Sequence, residues 1–229
     1  GEALAAMLSE RGITHAPVPA SVLAALPRVA LPALRIVMIG GEPCAADAVA
    51  FWAHGRTLFN EYGPTETTVC STMTDRVEDG GKINIGRPIA GTRAYVLDPF
   101  GKLAPAGTAG ELHIGGAGVA RGYLNDCAMT ADRFIPDPFS EAPGARMYRT
   151  GDRVRFRPDG SLEFLGRMDR QVKIRGFRIE PGDIEHALAK HPDVGECAVT
   201  VVDDASGDRR LAAYVALKSG DGRATAAQI

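Results

Sequence analysis

A strand–helix–strand pattern near residue 40 constrains the fold of this 229-residue chain more than any other feature. Residues 34–39 (LRIVMI) form a β-rich apolar run that ends at Gly40-Gly41. Helical spacing follows over residues 45–52, and residues 57–59 favour a second, short strand. This order predicts a parallel βαβ unit with a right-handed crossover, in which the first strand is buried in a sheet covered on both faces.

Loops that follow such strands are candidate binding segments, because ligands of parallel sheets collect at the carboxyl ends of the strands. Two loops qualify, residues 40–43 and residues 60–68 (NEYGPTETT). The second carries an aromatic ring, threonine hydroxyls and a carboxylate, which suit a base, phosphates and magnesium. A surface turn with N-capping threonines explains the same residues, and composition alone favours that simpler interpretation.

The rest of the chain predicts two further units. Short alternating segments separated by turn residues predict antiparallel strands that close into a small barrel over residues 81–168. Residues 169–229 contain a strand at 172–174, a helix at 183–190 and a final pair of strands. With residues 1–80 as the first unit, the predicted fold class is α/β plus β: part of a parallel-sheet α/β subdomain, a small distorted antiparallel β-barrel and a small α+β C-terminal subdomain.

Composition and charge exclude several classes of function. The formal net charge of -2 provides no field that attracts nucleic acid or an anionic membrane. No apolar stretch reaches the ~18 residues of a membrane span, and no signal peptide is visible. The four dispersed cysteines lack metal-ligand or disulfide spacing, which indicates reduced thiols in a cytoplasmic protein. Both ends, Gly1 and the tail at 219–229, are interpreted as cuts.

Three other segments have more than one interpretation. In residues 148–152 (YRTGD), taken as a loop, Asp152 can accept hydrogen bonds from the cis-hydroxyls of a ribose, although Thr-Gly-Asp turns are common. Glycines at 115–118 lack the context of a dinucleotide fingerprint, which favours a close-approach turn or a bulge. A basic run is compatible with nucleic-acid binding, a solvated strand face or a junction facing polyphosphate or AMP. Its members are Arg167, Arg170, Lys173, Arg175 and Arg178.

In order and spacing, the motifs resemble those of the adenylation domains of nonribosomal peptide synthetases, within the adenylate-forming superfamily. The matching segments are residues 60–68 (NEYGPTETT), 110–125 (GELHIGGAGVARGYLN), 148–154 (YRTGDRV), 166–184 (GRMDRQVKIRGFRIEPGDI) and 188–194 (LAKHPDV). Together they cover most of the chain between residues 40 and 202. The resemblance implies an incomplete adenylate-forming enzyme fold whose C-terminal subdomain is mobile.

The resemblance also implies a set of residues around ATP or AMP. Tyr62 would stack on adenine, Thr65 would contact the α-phosphate, and Glu66 would bind Mg²⁺. Asp152 would hold the ribose, with Arg167 nearby. The residues lining the base and the substrate would be Gly40, Gly41, Glu42 and Asn60. The assignment requires Tyr62, Glu66 and Asp152 to converge around one adenylate.

The implied reaction has two steps. An amino-acid carboxylate attacks the α-phosphorus of Mg·ATP, which gives aminoacyl-AMP and pyrophosphate. The phosphopantetheine thiol of a peptidyl carrier protein then displaces AMP to give a thioester. Lys173 and Gly176 would face the site in the second step, after rotation about a hinge at Asp169. Neighbouring synthetase domains are further implied partners, whereas nucleic acid and membranes are not.

Substrate choice would depend on a pocket, whose implied residues are Pro17, Met38, Gly40, Glu61, Val69 and Cys70. If Glu61 points inward, the pocket favours an amino acid with a polar or cationic side chain; if it points outward, nothing follows.

Several family features are absent from the chain. The phosphate loop with its lysine and the acidic residue for the substrate amino group lie upstream in the family, and the adenylation lysine is expected past Ile229. The chain alone is therefore expected to activate little or no amino acid. The alternatives are an acyl- or aryl-CoA ligase of the same superfamily and a non-catalytic AMP-binding module.

Overall fold

A computed structural model describes residues 1–77, 83–174, 176–203 and 209–218. The chain divides into two compact units, Gly1–Met168 and Asp169–Ile229. No helix among the described residues is long and apolar enough to cross a membrane. The predicted start of the barrel at residue 81, Arg175 of the basic run and the tail from residue 219 lie outside the described residues.

The first unit begins with a mixed sheet and three helices. In chain order its elements are α1 (Glu2–Glu10), β1 (His15–Pro19), α2 (Ala20–Ala25), β2 (Ile36–Gly40), α3 (Ala46–Ala53), β3 (Thr57–Tyr62), β4 (Thr72–Met73) and β5 (Arg87–Pro88). The strands pair in that order, in parallel from β1 to β3 and antiparallel beyond. The predicted βαβ unit is confirmed as β2, α3 and β3.

Only one face of this sheet carries a packed layer within the described residues. Along β2, Val37 and Ile39 are at most 1% exposed and join the helices in one core, whereas Ile36 and Met38 are half-buried. The prediction of a sheet covered on both faces is therefore wrong for the described chain. Successive right-handed crossovers that advance in one direction place their helices on the same side of the sheet, which explains the asymmetry.

An antiparallel sheet completes the first unit. Its elements are β6 (Thr92–Leu97), β7 (Gly110–Gly116), α4 (Cys127–Arg133), β8 (Phe134–Pro136), β9 (Arg146–Phe156) and β10 (Leu162–Arg167). The strand order is β10-β9-β7-β6, with β8 also on β9. Because the described β6 and β10 do not pair, the predicted closed barrel is observed as an open half-barrel; four strands are too few to close around a core. The core contains Val96, Leu112, Ile114, Val154 and Leu162.

The segment at residues 148–152 corrects another prediction, because it lies inside β9 and not in a loop. Gly151 has a φ of 73°, and the pairing of β9 with β7 shifts register between Glu111 and His113. A glycine in the left-handed region at a register shift forms a bulge, which re-aims the neighbouring side chains. A bulge uses the same residue types as a turn, so composition does not distinguish the two.

The second unit contains two hairpins and one helix. Its elements are β11 (Val172–Ile174), β12 (Phe177–Ile179), α5 (Pro181–Leu188), β13 (Val194–Asp203) and β14 (Arg209–Leu217). Helix α5 begins with Pro181, a residue favoured in the first turn because it lacks an N–H donor. Arg170 donates to both carboxylate oxygens of Glu185 and to the carbonyl oxygen of Val199, which joins α5 to β13. The predicted strands and helix of this unit are confirmed.

Candidate functional site

Tyr62, Asp152 and Arg167 form a buried cluster between the two sheets of the first unit. Tyr62 ends β3, and its hydroxyl donates a hydrogen bond to Oδ2 of Asp152, a residue 90 positions away on β9. Arg167 Nη1 donates to Oδ1 of the same carboxylate at 2.7 Å. Burial and the adjacent carboxylate raise the pKa of Tyr62 well above its usual value, so the phenol stays protonated as a donor. The structure therefore brings together three of the predicted nucleotide-binding residues.

Backbone and hydroxyl contacts fix this cluster in place. The Asp152 N–H donates to Thr150 Oγ1 at 3.0 Å, and that hydroxyl donates to the Leu112 carbonyl at 2.7 Å. The Met168 N–H donates to the Gly151 carbonyl at 2.8 Å, which holds the end of β10 beside the bulge. The side chains of Arg167 and Asp152 are 14% and 8% exposed, so removal of either partner would leave a nearly buried charge.

Glu66 forms a second cluster, in the 3₁₀ turn Thr65–Thr67. Its side chain is buried, and Tyr123 donates a hydrogen bond to Oε1 at 2.6 Å. The Tyr148 hydroxyl lies 3.3 Å from that of Tyr123. Burial, and then the hydrogen bond to Glu66, raises the pKa of Tyr123 well above its usual value. The sequence alone assigned no role to Tyr123, although it lies in the matching segment 110–125; a tyrosine at the end of this glycine-rich segment was the available signal.

The turn that carries Glu66 is tightly constrained. Thr68 and Val69 have φ values of 60° and 67°, which are unfavourable for β-branched residues and are found mainly at functional sites. A Cβ at Gly63 would lie 2.3 Å from the Val69 carbonyl oxygen, so only glycine fits there. Thr68 Oγ1 donates to the Gly118 carbonyl at 2.8 Å, and a Cβ at Gly118 would meet Thr67 O at 2.8 Å. The predicted close-approach turn at 115–118 is confirmed.

Most predicted pocket residues share one face of the first sheet. Pro17 pairs with Met38, and Gly40 pairs with Glu61, while a Cβ at Gly40 would meet the Glu61 carbonyl oxygen at 2.8 Å. This is the face without a helical layer among the described residues. Burial raises the pKa of Glu61, and burial followed by the Glu61 charge raises the pKa of Cys70 to about 11. The arrangement places Glu61 on the same face as Met38; Val69 is 78% exposed.

Other predicted residues have structural contacts. Asn60 Nδ2 donates to the Asn84 carbonyl at 2.8 Å, and Glu42 Oε1 accepts a hydrogen bond from the Ser21 N–H at 3.1 Å. Gly41 has a φ of 87°, and Thr65 is exposed at the start of the 3₁₀ turn. In the second unit, Asp169 caps the Gln171 N–H at 3.1 Å, Lys173 lies on β11, and Gly176 has a φ of 79°. The roles assigned to all of these residues remain predictions.

The donor set of the site is compatible with magnesium held jointly with phosphate. No group of three or more His, Cys, Asp or Glu side chains among the described residues can hold a metal ion by itself. Mg²⁺ commonly uses one or two carboxylates together with substrate phosphates and water. A single buried carboxylate at Glu66, beside the exposed hydroxyl of Thr65, matches that mode.

Comparison with known proteins identifies the family. The sequence profile described as AMP-binding enzyme matches residues 1–124, which is more than half of the chain. The chain belongs to the AMP-binding enzyme family. The profile described as AMP-binding enzyme C-terminal domain matches residues 183–229 of the same AMP-binding chain.

Two curated relatives of this AMP-binding chain are peptide synthetases. It is 52% identical over 218 residues to a probable non-canonical nonribosomal peptide synthetase, CymA, of Salinispora arenicola. It is also 52% identical over 220 residues to a component of the linear gramicidin synthase of Brevibacillus parabrevis. These matches cover 94% and 96% of the chain, which in turn spans 3% of the length of each relative.

A solved structure of a nonribosomal peptide synthetase protein has a similar fold. The fold is similar to that of holo-PA1221, a nonribosomal peptide synthetase protein that contains adenylation and PCP domains and is bound to a vinylsulfonamide inhibitor, with a TM-score of 0.83 and 34% identity. The similarity covers 93% of the chain and 38% of that protein. The predicted adenylate-forming fold and the predicted resemblance to synthetase adenylation domains are confirmed.

Proposed function

We propose that this AMP-binding chain acts in the activation of an amino acid. In the first step, Mg·ATP and the amino acid give aminoacyl-AMP and pyrophosphate. In the second, the phosphopantetheine thiol of a peptidyl carrier protein takes the aminoacyl group and AMP leaves. Neighbouring synthetase domains as further partners and a cytoplasmic location belong to the same proposal. The peptide synthetases among its relatives support it.

The observation that carries the proposal is the contact between Tyr62 and Asp152. A local surface turn does not require side chains 90 positions apart to share a hydrogen bond, nor a guanidinium on the same carboxylate. The pair offers an aromatic ring for a base beside a carboxylate whose oxygens have about four lone-pair directions in total. In the proposal, the Tyr62 ring contacts the base and the Asp152 carboxylate accepts hydrogen bonds from the ribose hydroxyls.

The first step requires alignment and charge stabilisation more than covalent catalysis. In the proposal, Asp152 holds the ribose, the Thr65 hydroxyl donates to the α-phosphate, and Glu66 holds Mg²⁺. Bound Mg²⁺ would neutralise phosphate charge. The substrate carboxylate forms the new bond to the α-phosphorus, and pyrophosphate leaves with the electron pair of the broken P–O bond.

The second step involves residues of the second unit. Asp169, its first residue, is proposed as the hinge. Lys173 on β11 and Gly176 in the turn before β12 are proposed to face the reaction centre when the thiol attacks. The thiol loses its proton to solvent as its sulfur forms the bond to the acyl carbon, and AMP departs with the electron pair of the acyl–oxygen bond. In a complete adenylation domain, transfer to free CoA in preference to a carrier thiol would support the CoA-ligase alternative.

Calorimetry with AMP tests the nucleotide site. Asp152→Ala is expected to weaken AMP binding by about 100-fold, because two hydrogen bonds to a charged group, each worth ~1.5 kcal/mol, are lost. Asp152→Asn keeps the side-chain shape and is expected to show a smaller loss. Asp75→Ala is the matched control, since Asp75 also pairs with an arginine, Arg87, but is 85% exposed on the surface. Equal AMP affinity in the Asp75 and Asp152 variants would contradict the ribose assignment.

Substrate ranking tests the proposed pocket. Glu61→Ala, in a complete adenylation domain, is expected to lower the preference for cationic over apolar amino acids by about tenfold, since a half-buried carboxylate on the pocket face is removed. Pyrophosphate exchange with a panel of amino acids measures that ranking. Glu10→Ala, on the exposed side of α1, is expected to leave it unchanged. If both variants keep the original ranking, Glu61 does not select the substrate.

A further inference from the structure

We propose that Tyr123 is a positioning residue that orients the Glu66 carboxylate toward the metal ion, and that Tyr148 holds Tyr123 in turn. The inference rests on the proposed function, because it takes Glu66 as the magnesium-binding carboxylate. It deepens that function by adding two side chains that lie outside the predicted site residues.

The hydrogen atoms in this cluster can be assigned from its geometry. Glu66 Oε1 lies 2.6 Å from the Tyr123 hydroxyl, a short distance typical of an O–H donor and a carboxylate. Tyr123 has one hydroxyl hydrogen, which this contact uses. The Tyr148 hydroxyl, 3.3 Å away, therefore donates to the Tyr123 oxygen. The chain Tyr148 to Tyr123 to Glu66 is directed, with its negative charge at the carboxylate end.

Both tyrosine rings are held firmly. Tyr148, on β9, is 1% exposed. The Phe134 ring packs against both, with centroids 5.3 Å from Tyr123 and 5.1 Å from Tyr148. Thr130 Oγ1 accepts a hydrogen bond from the Tyr123 N–H at 2.9 Å. The phenol that contacts Glu66 therefore has little freedom to move, which suits a group that fixes the direction of a ligand.

The backbone before Tyr123 is tied to the same turn. The Ala120 N–H donates to the Glu66 carbonyl at 2.8 Å. Arg146 donates to the carbonyls of Ala120 and Arg121 at 2.9 and 3.0 Å. Residues 120–123 thus contact Glu66 through both its main chain and its side chain. This double attachment fixes the carboxylate in a turn that already contains the strained residues Thr68 and Val69.

A second buried tyrosine–carboxylate pair in the same unit provides a comparison. Tyr95 donates to Asp137 Oδ2 at 3.2 Å, and Arg93 Nη2 lies 3.1 Å from the same atom. The Phe139 N–H donates to Oδ1 at 3.0 Å. Asp137, directly after β8, thus forms a structural ion pair with Arg93 of β6. Tyr95, also on β6, offers a matched control for loss of one phenol from a buried carboxylate.

The metal contribution to nucleotide binding tests the inference. In a complete adenylation domain that carries this chain, the Kd of a non-hydrolysable ATP analogue is measured by calorimetry with EDTA and with Mg²⁺. The ratio of the Kd in EDTA to the Kd in Mg²⁺ measures how much the metal contributes to binding. Tyr123→Phe is expected to lower that ratio about tenfold, the lower end of the effects seen when a partner of a metal ligand is removed. Tyr148→Phe is expected to lower it about threefold, and Tyr95→Phe is expected to leave it unchanged.

Glu66→Gln separates the inference from the proposed function. If Glu66→Gln keeps the full ratio, Glu66 does not bind the metal and the proposed site itself fails. If Glu66→Gln collapses the ratio while Tyr123→Phe preserves it, the positioning role alone is overturned. An equal rise of the Kd in EDTA and in Mg²⁺ for Tyr123→Phe also overturns the positioning role, because that pattern indicates a purely structural role. Should Tyr123→Phe fail to fold, Tyr148→Phe, which keeps the buried ring, decides by the same ratio.

Discussion

Glu66→Gln is expected to lower amino-acid-dependent pyrophosphate exchange by about 10²- to 10³-fold, the loss typical when one group that stabilises transition-state charge is removed. Measured in a complete adenylation domain carrying this chain, the loss should appear in kcat and in the KM for ATP, because the proposed metal contact is lost from the bound substrate and from the transition state. The glutamine retains an oxygen acceptor for the Tyr123 hydroxyl, so the turn and its 2.6 Å contact have no reason to rearrange. The effect then reports the lost negative charge.

Two comparisons make this result interpretable. Glu141→Gln removes one negative charge from an exposed position of the same unit and is expected to keep full exchange activity. AMP binding by Glu66→Gln should stay within a few-fold of the starting protein, since the carboxylate is proposed to act through the metal and not through the nucleoside. Exchange activity within tenfold of the unmodified domain would rule out Glu66 as the metal-binding carboxylate.

The elements of the fold that could be predicted are those encoded by local burial. The run at 34–39 and the helical spacing at 45–52 predicted β2 and α3, because hydrophobic periodicity reports which side of each element is buried. The covering of the sheet could not be predicted in the same way. Half-buried positions such as Ile36 and Met38 have apolar side chains whether or not a second layer covers them.

The order of the motifs predicted one part of the candidate site. Tyr62 and Asp152 were expected to converge, and the structure brings their side chains into contact. The contact between Tyr123 and Glu66 joins residues 57 positions apart and depends on how strands of the half-barrel pair, which no local pattern records. Likewise, the hydrogen bond from Asn60 to the Asn84 carbonyl joins residues 24 positions apart, so no local pattern predicts it. The structure therefore shows contacts between residues distant in sequence that the sequence alone could not predict.

Trp52→Ala is expected to destabilise the first unit by about 3–5 kcal/mol, the range for truncation of a large buried aromatic side chain. Trp52, on α3, is 1% exposed and belongs to the core that joins the helices to Val37 and Leu58. The Arg56 guanidinium also lies 5.2 Å from its ring, so a cation–π contact is lost with it. Domain stabilities are typically about 5–15 kcal/mol, so this single change is expected to remove a large share of the total.

Urea denaturation followed by far-ultraviolet circular dichroism measures the loss, because Trp52 is the sole tryptophan and its variant has no indole fluorescence. Phe100→Ala is the matched control: Phe100 is also aromatic and in the same unit, but it is 85% exposed, so its truncation is expected to change the free energy of unfolding by no more than ~0.5 kcal/mol. If the two variants unfold at the same urea concentration, the helical layer on β2 and β3 is not the core that stabilises the first unit. A much lower urea midpoint for Trp52→Ala alone would show that packing on one face of the sheet stabilises the unit that contains Tyr62.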